Sequence, residues 1–152
     1  MAVAAGQKLR ASDLATPSAS GIQTDSGTVT SGTYVGTRTG TSNVAGVAFT
    51  APNSGNIMVL WGGGLSISGG GFVLVSFEIR TGNVVGSGTQ WWAPSDNIQI
   101  QGESTTETSE ATFYPISGLT PGGSYNIRQM YRANTGTGTV NRPRISVMPL
   151  LA

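Results

Sequence analysis

The chain has 152 residues, with 8 Lys and Arg against 7 Asp and Glu, which gives a formal net charge of +1. It contains no Cys and no His, so catalytic triads and dyads that use these residues, thiolate or imidazole metal sites and disulfides are excluded. A net charge near zero lacks the strongly positive balance typical of nucleic-acid binding. Charged residues make up only 10% of the chain, and the 23 Gly residues indicate many turns.

The first 27 residues differ in composition from the rest. Residues 6–14, Gly-Gln-Lys-Leu-Arg-Ala-Ser-Asp-Leu, contain the only Lys of the chain, and residues 15–27 are rich in Ser, Thr, Gly and Pro, as linkers are. We therefore expect an extended N-terminal arm over residues 1–27 and a folded domain over residues 28–152. We expect no secretory signal, because the N-terminus lacks a charged region followed by an apolar one, and no apolar run is long enough to span a membrane.

From residue 28 onward the sequence has the pattern of β-structure. Residues 57–67 alternate between apolar and other residues, and the apolar members share one face: Ile57, Val59, Trp61, Leu65 and Ile67. The glycines at 62–64 predict a bulge or bend in this run, and those at 69–71 predict a turn. Residues 72–80 then alternate again, so these two runs are predicted as the strongest strand pair.

Shorter strands are predicted along the rest of the domain, and no segment after the arm has helical periodicity. They cover residues 32–39, 46–50, 83–87, 90–92, 97–101, 111–116, 124–132 and 142–150. About eight or nine short strands, spaced roughly 10–15 residues apart, are typical of an all-β antiparallel sandwich or barrel.

Residues 116–125, Ile-Ser-Gly-Leu-Thr-Pro-Gly-Gly-Ser-Tyr, resemble the tyrosine corner of fibronectin type III-like sandwiches. In that corner a Tyr hydroxyl bonds back to the backbone and fixes a crossover between the sheets. The resemblance assigns structural roles to Leu119, Pro121 and Tyr125.

Residues 47–59 are similar to the entry hairpin of C1q-like and TNF-like jelly rolls, with Pro52 and Gly55 in the turn and Phe49 and Ile57 in the core. Members of those families are usually trimers. The expected fold is therefore an antiparallel β-sandwich, of either jelly-roll or fibronectin III-like connectivity, and the expected assembly is a homo-oligomer, a homotrimer.

Trp91 and Trp92 are the most prominent candidates for a binding site. Neighbouring side chains of a strand point to opposite faces, so one indole is expected in the core and the other on the surface. A surface indole can stack on a sugar ring or fill a protein interface. The sequence leaves three interpretations open, namely glycan binding, a subunit interface and ordinary packing.

A second candidate contact consists of four arginines: Arg128, Arg132, Arg142 and Arg144. All four have the same parity in the last two predicted strands. If those strands pair, the arginines form a basic stripe that suits an acidic neighbour or an anionic wall polymer. If they do not, the arginines are solvated outward positions.

Catalytic and metal sites are not expected. Glu103, Glu107 and Glu110 lie in a Ser/Thr-rich stretch that is typical of an exposed loop rather than of a carboxylate pair for glycoside hydrolysis. The sequence has no Asp-rich calcium loop, and the glycine triplets lack the Lys and the helix of a phosphate loop. We therefore predict a non-enzymatic protein with no cofactor, no nucleic-acid partner and no membrane association.

A wider resemblance covers nearly the whole chain. Residues 49–150, with the runs 118–132 and 136–150, look like β-sandwich modules in tailed phages of actinobacteria. Residues 5–14, Ala-Gly-Gln-Lys-Leu-Arg-Ala-Ser-Asp-Leu, are similar to the opening of phage minor tail and structural proteins.

This resemblance implies a bacteriophage virion structural protein that is assembled in the host cytoplasm. Its arm is expected to dock on other virion proteins, of the capsid or tail, through Gln7, Lys8, Leu9, Arg10 and Leu14. The main expectation is a minor tail or fibre component that takes part in host attachment. The alternatives are a capsid decoration protein that stabilises the head shell and a carbohydrate-binding module that contacts host cell-wall glycan.

Overall fold

Ten strands make up residues 19–150, the part of the chain that the computed structural model describes. They are β1 (Ala19–Ile22), β2 (Ser26–Val29), β3 (Gly46–Thr50), β4 (Ile57–Ser68), β5 (Val73–Thr81), β6 (Gln90–Trp92), β7 (Ile100–Gly102), β8 (Thr108–Ile116), β9 (Ser124–Ala133) and β10 (Thr137–Pro149). These residues contain no helix, so they include no helix that is long and apolar enough to cross a membrane.

The strands form two five-stranded antiparallel sheets that pack against each other as a sandwich. In sheet A, β10 lies between β4 and the two short strands β1 and β2, and β8 follows β4 at the far edge. In sheet B, β9 lies between β3 and β5, and β6 and β7 share the far edge beside β5. From β3 onward each connection crosses to the other sheet, except that β5, β6 and β7 follow one another within sheet B. This is jelly-roll connectivity.

The two runs predicted as a strand pair are β4 and β5, and they are not hydrogen-bonded neighbours, because β4 belongs to sheet A and β5 to sheet B. The glycines at 69–71, with φ values of 84°, 81° and 85°, carry the chain from one sheet to the other. The runs instead face each other across the core. The rings of Trp61 and Phe77 pack edge to face with centroids 4.9 Å apart, and Trp61 Nε1 donates a hydrogen bond to the carbonyl of Val75 at 3.0 Å.

The layer between the sheets is filled by the alternating residues that the sequence indicated. Its most deeply buried apolar members are Ile57, Val59, Leu65, Val75, Phe77, Ile79, Ile127 and Ile145. Each such side chain contributes about 1.5–3 kcal/mol when it leaves water, so this layer dominates the stability of the sandwich.

The bulge predicted at 62–64 lies on the partner strand. β4 runs through its glycines with unbroken alternation, whereas the register of β10 shifts between Asn141 and Arg144. A Cβ on Gly63 would lie 3.1 Å from the carbonyl oxygen of Asn141. Gly63 therefore makes room for the bulged backbone of β10, and the glycines do not interrupt their own strand.

The predicted domain boundary at residue 28 is wrong for residues 19–27. β1 pairs with β10 from Ala19 to Ile22, and β2 pairs with the same strand from Ser26 to Val29, so the sandwich includes both. A Ser, Thr and Gly composition suits a short edge strand as well as a linker, which is why composition misplaced the boundary. The remainder of the predicted arm, residues 1–18, lies outside the described residues.

Two predicted strands are not regular strands. Residues 83–87 form bends and a turn, and residues 32–39 make only isolated bridges, through Val35 to β9 and through Thr39 to β2. Both stretches are rich in Gly, Thr or Ser and carry too few apolar side chains to fix a buried face.

A buried arginine fastens the segment between β2 and β3. Arg38, 3% exposed, forms an ion pair with Asp25 at 2.9 Å and donates to the carbonyl of Val140 at 2.9 Å. Thr41 and Asn43 donate side-chain hydrogen bonds to the same carboxylate. We call Asp25, Arg38, Thr41 and Asn43 the Asp25 clasp. It joins the start of the sandwich to the segment that leads into sheet B.

The contact expected of a tyrosine corner is present. Leu119 is buried, and the Tyr125 hydroxyl accepts a hydrogen bond from the backbone N–H of Thr120 at 3.1 Å. After Pro121, the N–H of Gly123 donates to the carbonyl of Thr120 at 2.9 Å and closes the turn. The corner therefore occurs here in a jelly roll, because it requires only a crossover that ends in a Tyr-bearing strand.

Two buried tyrosines on β9 provide a matched test of this corner. Tyr125→Phe removes a hydrogen bond and leaves the Thr120 N–H without its partner, so we expect it to lower the free energy of unfolding by about 1 kcal/mol or more. Among residues 19–150 no group accepts from or donates to the Tyr131 hydroxyl, so Tyr131→Phe should cost less. Urea unfolding of both variants measures this difference, and an equal or larger loss for Tyr131→Phe would contradict the role of the corner.

Candidate functional site

The outward side of sheet A carries apolar side chains at one end. The register places Met58 of β4 opposite Met148 of β10 and Pro115 of β8, and places Leu60 opposite Phe113. Phe113 is 64% exposed, and Pro115 and Met148 are also exposed. We call these five residues, Met58, Leu60, Phe113, Pro115 and Met148, the apolar face.

The most exposed apolar side chains of the described residues collect on this side of the molecule. Among residues 19–150 four large apolar side chains are strongly exposed, namely Ile22, Val84, Phe113 and Met148. Three of them lie on the outward side of sheet A, since Ile22 of β1 pairs with the outward position Arg144. The fourth, Val84, lies in the turn after β5. A contiguous apolar patch of this kind marks an interaction surface, whereas a single exposed side chain does not.

The same side of sheet A is almost free of charge. Along β4, β8 and β10 its outward positions over residues 58–64, 109–115 and 144–148 contain one charged side chain, Arg144. Among residues 19–150, no carboxylate lies within ion-pair distance of that guanidinium. The outward side of sheet A is therefore nearly uncharged over these residues.

A depression lies beside the apolar face, where Arg144, Gly62 and Ala111 are cross-strand neighbours. Gly62, in the middle of this row, has no side chain, and a Cβ there would meet Glu110 and Ala111 of β8. The volume of the depression is about 200 Å³, and it is lined by Leu60, Trp61, Ala111, Thr112, Arg144 and Ser146.

The outward side of sheet B is charged and internally paired. Glu78 of β5 is 1% exposed and accepts hydrogen bonds from Arg80 at 2.9 Å, Arg128 at 2.6 Å and Gln90 at 2.8 Å. Burial alone would raise the pKa of Glu78, but the hydrogen bonds from Arg80, Arg128 and Gln90 outweigh it and hold the pKa below its ordinary value. Since the charges in this cluster satisfy one another, the cluster is a structural one.

The basic stripe envisaged for the last two predicted strands is not formed. β9 lies in sheet B and β10 in sheet A, so Arg128 and Arg132 are on one side of the molecule and Arg142 and Arg144 on the other. Equal parity aligns side chains only when the strands share a sheet. Three of the four arginines are paired with carboxylates: Arg128 with Glu78, Arg132 with Asp96, and Arg142 with Glu107.

Trp91 and Trp92 both pack against the core, although strand alternation predicted opposite faces. The register of β6 against β5 shifts here, with Trp92 opposite Ile79 and Gln90 opposite Arg80. Trp91 is therefore the extra residue of a bulge, and a bulge turns both side chains to one side. The two indoles stack with centroids 6.1 Å apart and an interplanar angle of 27°.

These indoles close the open edge between β6 of sheet B and β8 of sheet A. The Trp92 ring lies 6.1 Å from that of Tyr114, and the Trp91 ring lies 6.1 Å from that of Tyr125. Trp91, Trp92 and Tyr114 are each half-buried, and we call these three residues the aromatic edge. Packing accounts for their buried portions, and their exposed portions form an aromatic strip on the surface.

The predicted docking residues and the acidic side chains remain to be placed. The proposed docking residues Gln7, Lys8, Leu9, Arg10 and Leu14 lie outside the described residues. Within residues 19–150, no group of three or more acidic side chains is arranged to hold a metal ion.

Sequence reasoning missed the apolar face, although a signal for it was present. In β4 the odd-numbered residues already supply the core, yet Met58 and Leu60 at even positions are apolar as well. In β8, Phe113 and Pro115 likewise alternate with the residues that face the interior. A strand that is apolar on both faces is covered on both faces. The prediction for β4 used only its odd-numbered apolar residues.

Comparison with known proteins gives distant structural likenesses. No family model and no curated protein matches the sequence. Eiger TNF from S. frugiperda is 9% identical, with 88% of this chain and 92% of that chain covered and a TM-score of 0.45. The CBM22-1 xylan-binding domain from Paenibacillus barcinonensis is 8% identical, with 89% and 95% covered and a TM-score of 0.39. A CBM35 from Cellvibrio japonicus is 16% identical, with 89% and 95% covered and a TM-score of 0.38. These likenesses are too distant to carry a function to this chain.

Proposed function

We propose that this chain is a non-catalytic structural module that self-associates through the apolar face of sheet A and acts at the surface of a virion as a minor tail or fibre component. The observation that carries the proposal is the exposed apolar face, with Phe113 at its centre. An antiparallel sheet that faces water on one side normally has polar residues on that side. Sheet A has apolar ones, which favours a protein partner on that side.

A second copy of this chain is the partner that the surface fits best. Cores of protein interfaces are depleted of charge and enriched in Phe and Met, and the apolar face has this composition. Because the face is nearly uncharged, two copies can approach through it without electrostatic repulsion. The charges of sheet B already pair with one another, so they offer little to a further partner.

Three copies in a closed ring are the assembly that we propose. The resemblance of residues 47–59 to trimeric jelly rolls supports this number, and closed symmetric oligomers are the common outcome of self-association. A ring also removes the apolar faces of all copies from water at once.

The virion placement rests on the resemblance to phage structural proteins over residues 49–150 and 5–14. A chain with few charges and no cofactor chemistry suits a component whose surface is largely covered by neighbours. The alternative location is the capsid, where the same module would act as a decoration protein.

The state of association in solution tests the proposal directly. We expect the full chain to be trimeric in light scattering coupled to size exclusion, and Phe113→Ser to weaken association at least about thirtyfold, since a buried aromatic hot spot contributes about 2 kcal/mol or more. Val84→Ser is the matched control, because Val84 is 62% exposed, nearly as much as Phe113, but lies off the face. A monomeric wild type, or equal loss in both variants, would refute self-association through this face.

The copy number in purified virions tests the placement. A tail or fibre component is expected in a few copies at one end of the particle, and a decoration protein in tens to hundreds of copies over the head. Quantitative mass spectrometry and antibody labelling in electron micrographs distinguish the two, and absence of the chain from particles would exclude both.

A second candidate function is glycan binding at the aromatic edge. The favourable observation is the run of three half-exposed aromatic side chains, Trp91, Trp92 and Tyr114, because exposed ring faces stack on apolar faces of other molecules. This candidate requires no assembly and uses a different surface from the apolar face.

Affinity electrophoresis of the full chain in gels that contain soluble xylan, β-glucan or bacterial wall polysaccharide tests this candidate. We expect retardation by one polymer, and loss of retardation in Trp91→Ala because the stacking surface is removed. Phe72→Ala, a half-exposed aromatic outside the edge, serves as the control. Unchanged retardation in Trp91→Ala, or none in the wild type, would rule out glycan binding at this edge.

A further inference from the structure

The apolar face has a raised part at Phe113. Among residues 19–150, β8 is the edge strand of sheet A and pairs with β4 alone. Phe113 is the largest outward residue of β8, and the outward residues on either side of it are the smaller Ala111 and Pro115. Its ring therefore projects from the surface rather than lying among side chains of its own size.

The depression beside the face has the size and chemistry to accept such a ring. Its volume is about 200 Å³, and an apolar cavity of about 150 Å³ is enough to hold benzene. Leu60 and Ala111 supply apolar lining. The same chain's Phe113 stands beside the depression without filling it, because it occupies the next outward position of β8 after Ala111.

Arg144 at the depression is the one charge on this part of sheet A. A guanidinium beside an aromatic face gains a cation–π interaction, which grows stronger when water is excluded. Arg and aromatic residues also predominate in interface hot spots. An inserted phenyl ring would thus give Arg144 a favourable neighbour on a surface that otherwise offers no anion.

We propose that Phe113 of each copy inserts into the depression formed by Leu60, Ala111, Arg144 and Ser146 of the next copy. This inference rests on the proposed self-association and names the contact that holds it together. In the arrangement that we propose, each copy donates its ring to one neighbour and accepts a ring from another. Repeated three times, this head-to-tail contact closes the proposed trimer.

Photo-crosslinking from position 113 tests the contact. Phe113 is replaced by p-azidophenylalanine, which keeps the aromatic ring, and the full chain is irradiated after its association state has been measured by light scattering. We expect covalent dimers and trimers on denaturing gels, with mass spectrometry placing the intermolecular link in residues 144–146 or 111–112. Val84 replaced in the same way is the control, and its irradiated chain should stay uncrosslinked.

The outcomes separate the two proposals. An oligomer whose links from position 113 map elsewhere, for example to position 113 of another copy, overturns the insertion of Phe113 and leaves self-association intact. A chain that is monomeric before irradiation, with the wild type also monomeric, overturns the self-association and the contact with it.

Discussion

A sandwich of two layers can cover only one face of each sheet, and sheet A is apolar on both faces. In β4 the odd-numbered residues, such as Val59 and Trp61, fill the layer between the sheets, whereas Met58 and Leu60 point the other way. Within residues 19–150, sheet B covers the inner set and leaves the outer set partly exposed. The proposed self-association would bury this outer face of sheet A.

The two outer surfaces meet water in opposite ways. On sheet B, Glu78 is buried among Arg80, Arg128 and Gln90, and Arg132 pairs with Asp96, so charge is present but largely neutralised within the chain. Over residues 58–64, 109–115 and 144–148 of sheet A the outward positions are small or apolar, with Arg144 as the exception. One outer surface therefore carries paired charges and the other carries exposed apolar side chains.

The sequence was sufficient for the fold class, the buried faces of β4 and β5 and the Tyr125 corner, because each depends on local alternation or on a short contiguous motif. It was insufficient for the partners of the strands. Alternation specifies which side chains are buried but not which strand lies alongside, so Trp61 and Phe77 were placed in neighbouring strands instead of across the core. For the same reason the four arginines were expected on one sheet. A bulge that alternation does not reveal turns both Trp91 and Trp92 toward the core, where opposite faces were predicted. The apolar face could not be predicted from one strand at a time. Its residues come from three strands, and the sequence does not show that these strands are neighbours.

The Asp25 clasp sets how the stability of the segment between β2 and β3 depends on pH. The hydrogen bond from Thr41, together with those from Arg38 and Asn43, outweighs the effect of burial and lowers the pKa of the Asp25 carboxyl to about 2. Because this pKa is depressed relative to the unfolded chain, the stability that the clasp contributes is complete above about pH 4 and is lost only as the pH falls toward 2. The segment between β2 and β3 thus stays fastened at acidic pH values at which ordinary exposed carboxylates already begin to take up protons.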